Sequence, residues 1–260
     1  MRRCLILAAI CLTAVVPTLS AQPARQALPT LRTVGIFSLL GDSVQVAAAT
    51  DAPSDTRIER TARESLDFKG IGFDLIAIRA ARDSLQRAQP ASKVLAFRGT
   101  QALTVTEQRA VADGAAKAEL PAWMTKTVND NGLSHLLLVT RSRGTIDAQT
   151  ANGFAIGRGS VDGIGFFIDT LYTIQNQTTG ALSSGLLAPY LNVRLTLMDA
   201  VNGEIVAVYD VKDAFVYGAK EVQIAADPWN FMTPAQKVVT LRQLVEQGLV
   251  RGMGELLGAR

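Results

Sequence analysis

Residues 191–211 read LNVRLTLMDAVNGEIVAVYDV. Leu191, Val193, Leu195 and Leu197 alternate with Asn192, Arg194 and Thr196, the period of a strand with one buried face and one wetter face. Asn202-Gly203 offers the positive φ angles of a tight turn, and residues 205–211 return. The stretch predicts a β-hairpin and commits the chain to a sheet. Residues 214–222 could carry one more strand.

Toward the C terminus, Thr233 reads as an N-cap, Pro234 suits the first helical position, and Gln236 completes a capping box. Val238, Leu241, Val245, Leu249, Met253 and Leu256 then trace an apolar helix face. Gly248 and Gly252 lie one turn apart and cost about 1 kcal/mol each in helix propensity. They predict close approach to a strand or another helix; the alternative is a helix that frays at its end.

Upstream, residues 134–140 (SHLLLVT) are apolar on both alternating faces, which predicts a central strand. Residues 33–40 (TVGIFSLL) read as a strand, Gly41-Asp42 as a turn, 43–49 as a second strand and 56–68 as a polar edge strand. A helix is expected over 73–88, capped by Asp74, with Leu75, Ile78, Ala81, Arg82 and Leu85 on one face. A buried strand follows at 93–97. A capping box at Thr104 and Glu107 opens a helix to about residue 119, and a further helical piece runs from Pro121 to Asn131-Gly132. The fold class is therefore α+β, or mixed α/β: a mixed sheet with helices packed mainly on one face.

Between residues 141 and 190 lies an excursion that a compact domain does not need. It is glycine-rich at first (Gly153, Gly157, Gly159, Gly163, Gly165) and then apolar. Ile164, Phe166, Ile168, Tyr172 and Ile174 share one alternating face, and Phe167 and Leu171 lie on the other with Asp169 and Thr173. The expectation is an apolar hairpin inserted over 145–190. It either extends the sheet and packs on its own core, or offers Ile164, Phe166, Phe167, Ile168, Leu171, Tyr172 and Ile174 to another copy, a partner or a lipid surface.

The first 21 residues read as a secretory signal. Arg2 and Arg3 precede an apolar run over 4–16, and Pro17 and the small residues at 18–21 suit cleavage after Ala21. The apolar run is too short to span a bilayer comfortably. The organisation is then a signal peptide over 1–21, a flexible lead-in over 22–31, and one domain over 32–260. The expected address is the periplasm or the exterior. Cys4 and Cys11, the only cysteines, fall in the signal, so the remaining chain has no disulfide and no thiolate site. Neither cysteine has the lipidation tripeptide before it.

Residues 22–260 carry 24 basic and 23 acidic side chains, which gives no electrostatic case for nucleic acid. His135 is the only histidine, so a histidine-cluster metal site is excluded and a Ser-His-Asp triad has one possible base. Ser183-Ser184-Gly185 does not form G-x-S-x-G. Gly157-Arg158-Gly159 meets Gly163 one residue too late for a dinucleotide fingerprint. Asp169 could be a buried acid or face water. Asp210 and Asp213 lack a third carboxylate at calcium-loop spacing. Arg141, Arg143 and Arg158 could bind an anion or form a solvated rim, and Trp123 and Trp229 read as packing anchors. No catalytic, cofactor or metal site is expected.

Three segments, TVGIFSLLGD (33–42), the one ending SHLLLVT (134–140), and the hairpin 191–211, resemble a superfamily of bacterial envelope proteins. It includes the curli-secretion channel lipoprotein, the lipoprotein activators of penicillin-binding proteins and the N-terminal domain of the Tol-system periplasmic protein. The resemblance implies a non-enzymatic fold used for docking to envelope machinery or for self-assembly. The expected function is an exported, non-catalytic protein acting through a homo-oligomer or an envelope partner. The alternatives are a periplasmic small-ligand carrier, an outer-membrane-associated secretion component with membrane contact, and a hydrolase built on His135 or Asp169.

Overall fold

The computed structural model describes residues 29–48, 62–67, 70–98, 120–146, 148–149, 155–156, 160–175, 182–217 and 227–258. The signal segment expected over 1–21 and the helix expected over 104–119 lie outside these residues. Among the described residues twelve strands and three α-helices follow in chain order. They are β1 (Thr33–Ser38), β2 (Ser43–Ala48), β3 (Ala62–Asp67), α1 (Phe73–Ala88), β4 (Lys93–Arg98), α2 (Ala122–Asn131) and β5 (His135–Arg141). Next come four short strands, β6 (Arg143–Thr145), β7 (Ala148–Gln149), β8 (Ala155–Ile156) and β9 (Ser160–Asp162). The long strands β10 (Ile164–Gln175), β11 (Leu182–Asp199) and β12 (Ile205–Ala214) precede a 3-10 turn (Pro228–Phe231) and α3 (Pro234–Leu256). The architecture is α+β, a mixed sheet curled as a half-barrel.

The sheet is built on β11. Its C-terminal half pairs antiparallel with β5, Val193 opposite Arg141 through Asp199 opposite His135. Its N-terminal half pairs antiparallel with β10, from Ile164 opposite Leu191 to Gln175 opposite Leu182. β5 and β10 thus run in one direction along the same edge of β11, as one strand row with a gap. The next row repeats the device: β1 lies parallel to β5 and β2 parallel to β10. β4 extends the first segment in parallel, β3 extends the second antiparallel as an edge, and β12 takes the far edge of β11.

The gap between β5 and β10 is where an inserted hairpin leaves and rejoins the sheet. Gly163 N donates to Ser142 O (3.0 Å), Ser142 N to Asn192 O (3.0 Å) and Asn192 N to Gly163 O (2.7 Å). Gly163 sits at φ 66°, and a Cβ there would meet Arg141 Cδ at 2.8 Å, so only glycine fits. Outward from this junction β6 pairs antiparallel with β9, and β7 with β8. The insertion is therefore residues 143–162, not 145–190. Residues 164–175 and 182–190 are strands of the main sheet, and over 164–167 and 186–190 both alternating sets of side chains are buried, because the sheet there is covered on both faces.

One face of the sheet carries Val34, Ile36, Leu137, Val139, Ile164, Phe166, Leu191, Val193, Leu195 and Leu197, packed beneath α1 and α3. α3 opens with the expected capping box: Gln236 N donates to Thr233 Oγ1 (3.3 Å) and Thr233 N to Gln236 Oε1 (2.8 Å). A Cβ on Gly248 would meet Leu191 Cδ2 at 2.6 Å, and one on Gly252 would strike Val211 Cγ2. Both glycines therefore bring the helix down onto β11 and β12. Leu31, placed by the sequence in the flexible lead-in, is 2 % exposed in this core.

The opposite face is covered in two pieces. Phe37, Leu136, Leu138 and Met198 pack under Met124 and Val128 of α2, with Phe37 stacked on Phe97 (4.8 Å) and edge-on to Trp123 (5.8 Å). Ala47, Phe167, Leu186, Ala188 and Tyr190 pack under Ile146 and Val161 of the insertion. The helices expected mainly on one face divide as two long ones on the first and a short one on the second.

Local expectations are corrected at three places. Asp74 does not cap α1; the N-cap is Gly72, at φ 69°. Leu75, expected on the buried face of α1, is exposed, and Phe73 and Ala77 are buried instead. The β11–β12 connection is wider than a two-residue turn: Asp199 N donates to Glu204 O, and Asp199 Oδ1 accepts from Val201 N (2.8 Å) and Asn202 N (3.0 Å). Asp199 organises that loop as an Asx turn.

Candidate functional site

At the seam between the gapped rows, Arg141 donates from Nε to Leu40 O (2.6 Å) and from Nη2 to Ser43 O (2.5 Å). Leu40 lies in the break between β1 and β2, and Ser43 opens β2. Asp74 Oδ1 accepts from Ser38 Oγ (2.6 Å) and Leu40 N (2.9 Å), and Oδ2 from Gly41 N (3.2 Å). Asp42 Oδ1 accepts from Gly72 N (3.1 Å) and Phe73 N (3.3 Å), so it caps α1 from a distant loop. Burial pulls the Arg141 pKa down, and Tyr190, Asp74, Asp162 and Asp42 oppose that. The guanidinium stays charged, and its Nε and Nη2 donors serve main-chain carbonyls. Arg143 turns away, donating to Ser160 Oγ (2.8 Å) and lying 4.0 Å from Asp162. Arg158 lies outside the described residues.

The single histidine opens β5 and is 8 % exposed. Its Nδ1 lies 3.0 Å from Ser134 Oγ, and Asp199 is its partner across the sheet. Serine, histidine and aspartate are thus neighbours, yet the roles do not fit a triad. A triad histidine meets the serine through one nitrogen and the aspartate through the other. Here Ser134 Oγ also accepts from Thr33 N (3.0 Å) and reaches Thr33 O (3.0 Å), stitching β5 to β1. Asp199 is occupied by its own loop. Burial pushes the His135 pKa below its ordinary 6.5, with Asp199 opposing, and the two backbone bonds hold the Asp199 carboxyl below its usual range.

The remaining carboxylates are also engaged or apart. Asp210 forms a two-point pair with Arg194 (2.7 and 3.0 Å), Asp213 meets Arg251 (2.6 Å), and Asp169 is half-buried on β10. Among the described residues no group of three His, Cys, Asp or Glu could hold a metal. The side chains of Ser183 and Ser184 lie outside the description.

Of the expected contact residues, Ile164 and Phe166 are fully buried and Phe167 is 4 % exposed. They serve the chain's own core, because α1 and α3 cover one face of β10 and the insertion covers the other. Ile168 is half-buried against the same core. The side chains of Leu171, Tyr172 and Ile174 lie outside the described residues. A contact role for Ile164, Phe166 and Phe167 is thereby corrected.

Sequence reasoning passed over Lys237. It is 4 % exposed, donates to Met232 O (2.9 Å), and lies 3.9 Å from the Trp229 ring centroid, while Trp229 meets Phe166 edge-on at 5.4 Å. Burial pushes the ammonium below its usual range, and Asp227 opposes that. Its signal was spacing: Lys237, Leu241 and Leu244 share one helix face. Beside it, Tyr217, Met232, Ala235, Gln236, Val239 and Thr240 line an open groove of about 240 Å³, below the roughly 300–1,000 Å³ of ordinary ligand sites.

The exposed apolar side chains include Val208 at 45 % and Phe215 at 39 %, on and just beyond β12. Among the described residues β12 pairs along one side only, with β11.

No family model matches the chain, and no curated protein matches it. Among the solved structures similar to it are three bacterial ones. A Helicobacter pylori protein, provisionally assigned as a neuraminyllactose-binding hemagglutinin homolog, is 9 % identical, with 90 % of this chain and 87 % of that one covered and a TM-score of 0.38. A Xanthomonas campestris protein of the DUF330 family is 10 % identical, covering 91 % and 88 %, with a TM-score of 0.34. A PelC dodecamer subunit from Paraburkholderia phytofirmans is 11 % identical, covering 86 % and 91 %, with a TM-score of 0.27. Likenesses of this size assign neither fold nor function.

Proposed function

We propose that the chain is an exported, non-catalytic protein of the bacterial envelope that acts through protein–protein contacts. One observation carries the reading: the groups best suited to chemistry hold the fold together. Arg141 and Lys237 donate to main-chain carbonyls, Asp42 and Asp74 accept from main-chain amides, and Ser134 bonds to Thr33 at the site of its histidine contact. A nucleophile or general base must be free to reach substrate. The apolar run and small-residue site over residues 4–21 support export. Among the described residues no helix is long and apolar enough to cross a membrane.

Export is tested by the mass of the protein recovered from cells expressing the full chain: loss of residues 1–21 is expected, and an uncut cytoplasmic chain would refute it. Catalysis is tested by complementing a deletion strain with His135→Leu or Asp169→Asn. Both variants should restore its phenotype. Failure of a folded variant would return the hydrolase reading.

A further inference from the structure

We infer that β12 pairs with β12 of a second copy, joining two chains through an antiparallel edge centred on Val211. The direction of the backbone follows from the ladder. Asn192 N and O bond toward Gly163 and Ser142, so the backbone groups of Leu191 and Val193 face β12. Their partners Asp213 and Val211 therefore face inward, as does Phe215, whose N–H donates to Pro189 O. Val208, Asp210, Lys212 and Ala214 then turn their N–H and C=O groups to the edge that no described strand pairs.

A two-fold pairing about Val211 sets Asp210 opposite Lys212 of the other copy, and Lys212 opposite its Asp210. The same register sets the exposed Val208 opposite Ala214, and Ala207 opposite the exposed Phe215. Other centres are worse. Pairing about Asp210 or Lys212 opposes like charges at the axis, which is destabilising. Pairing about Val208 or Tyr209 runs into the register shift between Ile205 and Ala207. Edge strands that avoid pairing carry bulges or lone charges. Here the bulge lies outside 207–215, and Asp210 and Lys212, the charged residues whose backbone faces the edge, stand on either side of Val211, with Asp210 also held by Arg194 of its own chain and Asp213 by Arg251. This rests on the contact reading above and names the partner: turnover by an intact dimer would overturn that reading alone, and a monomer would overturn the pairing alone.

Light scattering on the protein exported from cells expressing the full chain, at tens of micromolar, should give twice the mass of one exported chain. Lys212→Glu, which opposes two pairs of carboxylates, should weaken the dimer roughly tenfold or more. A second variant fixes the register independently. With Cys4→Ser and Cys11→Ser as background, Val208→Cys with Ala214→Cys should yield a disulfide-linked dimer. Within one strand those positions stand about 20 Å apart, beyond the roughly 7 Å Cα limit for a disulfide. A monomeric wild type overturns the inference. So does a dimer that Lys212→Glu leaves intact and the cysteine pair does not link.

Discussion

The two faces of the sheet are closed by different means. The first lies under two long helices whose apolar stripes run the length of the contact. The second lies partly under α2 and partly under a hairpin of twenty residues, 143–162, held at one junction. At that junction Asn192, 2 % exposed, directs Nδ2 toward Val161 O (3.3 Å) and Gly144 O (3.5 Å). Gly144 has no room for a side chain, since a Cβ would lie 2.6 Å from Asn192 Oδ1. The first face is secured by many small contacts, the second by few specific ones. The first should therefore fail as a whole and the second locally.

The largest effect is expected where the first face is tightest. Gly252→Val drives a branched side chain into Val211 and should destabilise the fold by about 3 kcal/mol, at the upper end of overpacking costs. A lowered denaturant midpoint with an unchanged slope would show it. A wild-type midpoint would mean that α3 does not lie against β12. Asn192→Ala removes the donor to two carbonyls at the base of the insertion and should cost about 2 kcal/mol. Hydrogen exchange should quicken over residues 143–146 and 160–163 while amides of α3 stay protected. Uniform quickening would erase the distinction between the faces. Thr233→Ala deletes the α3 cap and should cost about 1 kcal/mol, read as a lower melting temperature.

The smallest effect concerns His135, at the head of β5. Its folded pKa lies below the ordinary 6.5. Stability is therefore full above that value and declines as pH falls through the folded pKa, since the unfolded chain takes up the proton first. Melting temperatures between pH 7 and pH 5 should fall more steeply for wild type than for His135→Leu. Parallel slopes would remove His135 as the source.

The contrast between the faces also sets what could be read from the chain. The capping box at Thr233, the paired glycines of α3 and the strands at 33–38, 93–98 and 135–141 follow local period and local capping chemistry. They were visible because a residue's own neighbours report its burial. Asn192 was assigned to a wet face by the same alternation that placed Leu191 and Val193 correctly. What buries it is a segment that begins some fifty positions earlier and has no period of its own. Asp42 and Asp74 show the same limit. Asp74 has the composition and position of a cap, but the orphan amides nearest its carboxylate belong to another loop. The contact role of Ile164, Phe166 and Phe167 was misplaced because an apolar strand reads alike whether its cover comes from within the chain or from outside. Lys237 was legible in principle, since a cation in phase with an apolar stripe asks for a carbonyl or an aromatic ring.

Ser142 and Gly163 are hydrogen-bonded neighbours, so the sheet registers where the intervening segment departs and returns, not how long it is. Each doubling of a flexible loop adds only about 0.6 kcal/mol of closure entropy. The gap between β5 and β10 is in effect a socket. Hairpins of other lengths and sequences can be exchanged there over evolution, or grafted by design, provided the replacement keeps an apolar underside for Tyr190 and Phe167 and a carbonyl for Asn192. A scaffold of this kind can acquire new surfaces without refounding its core.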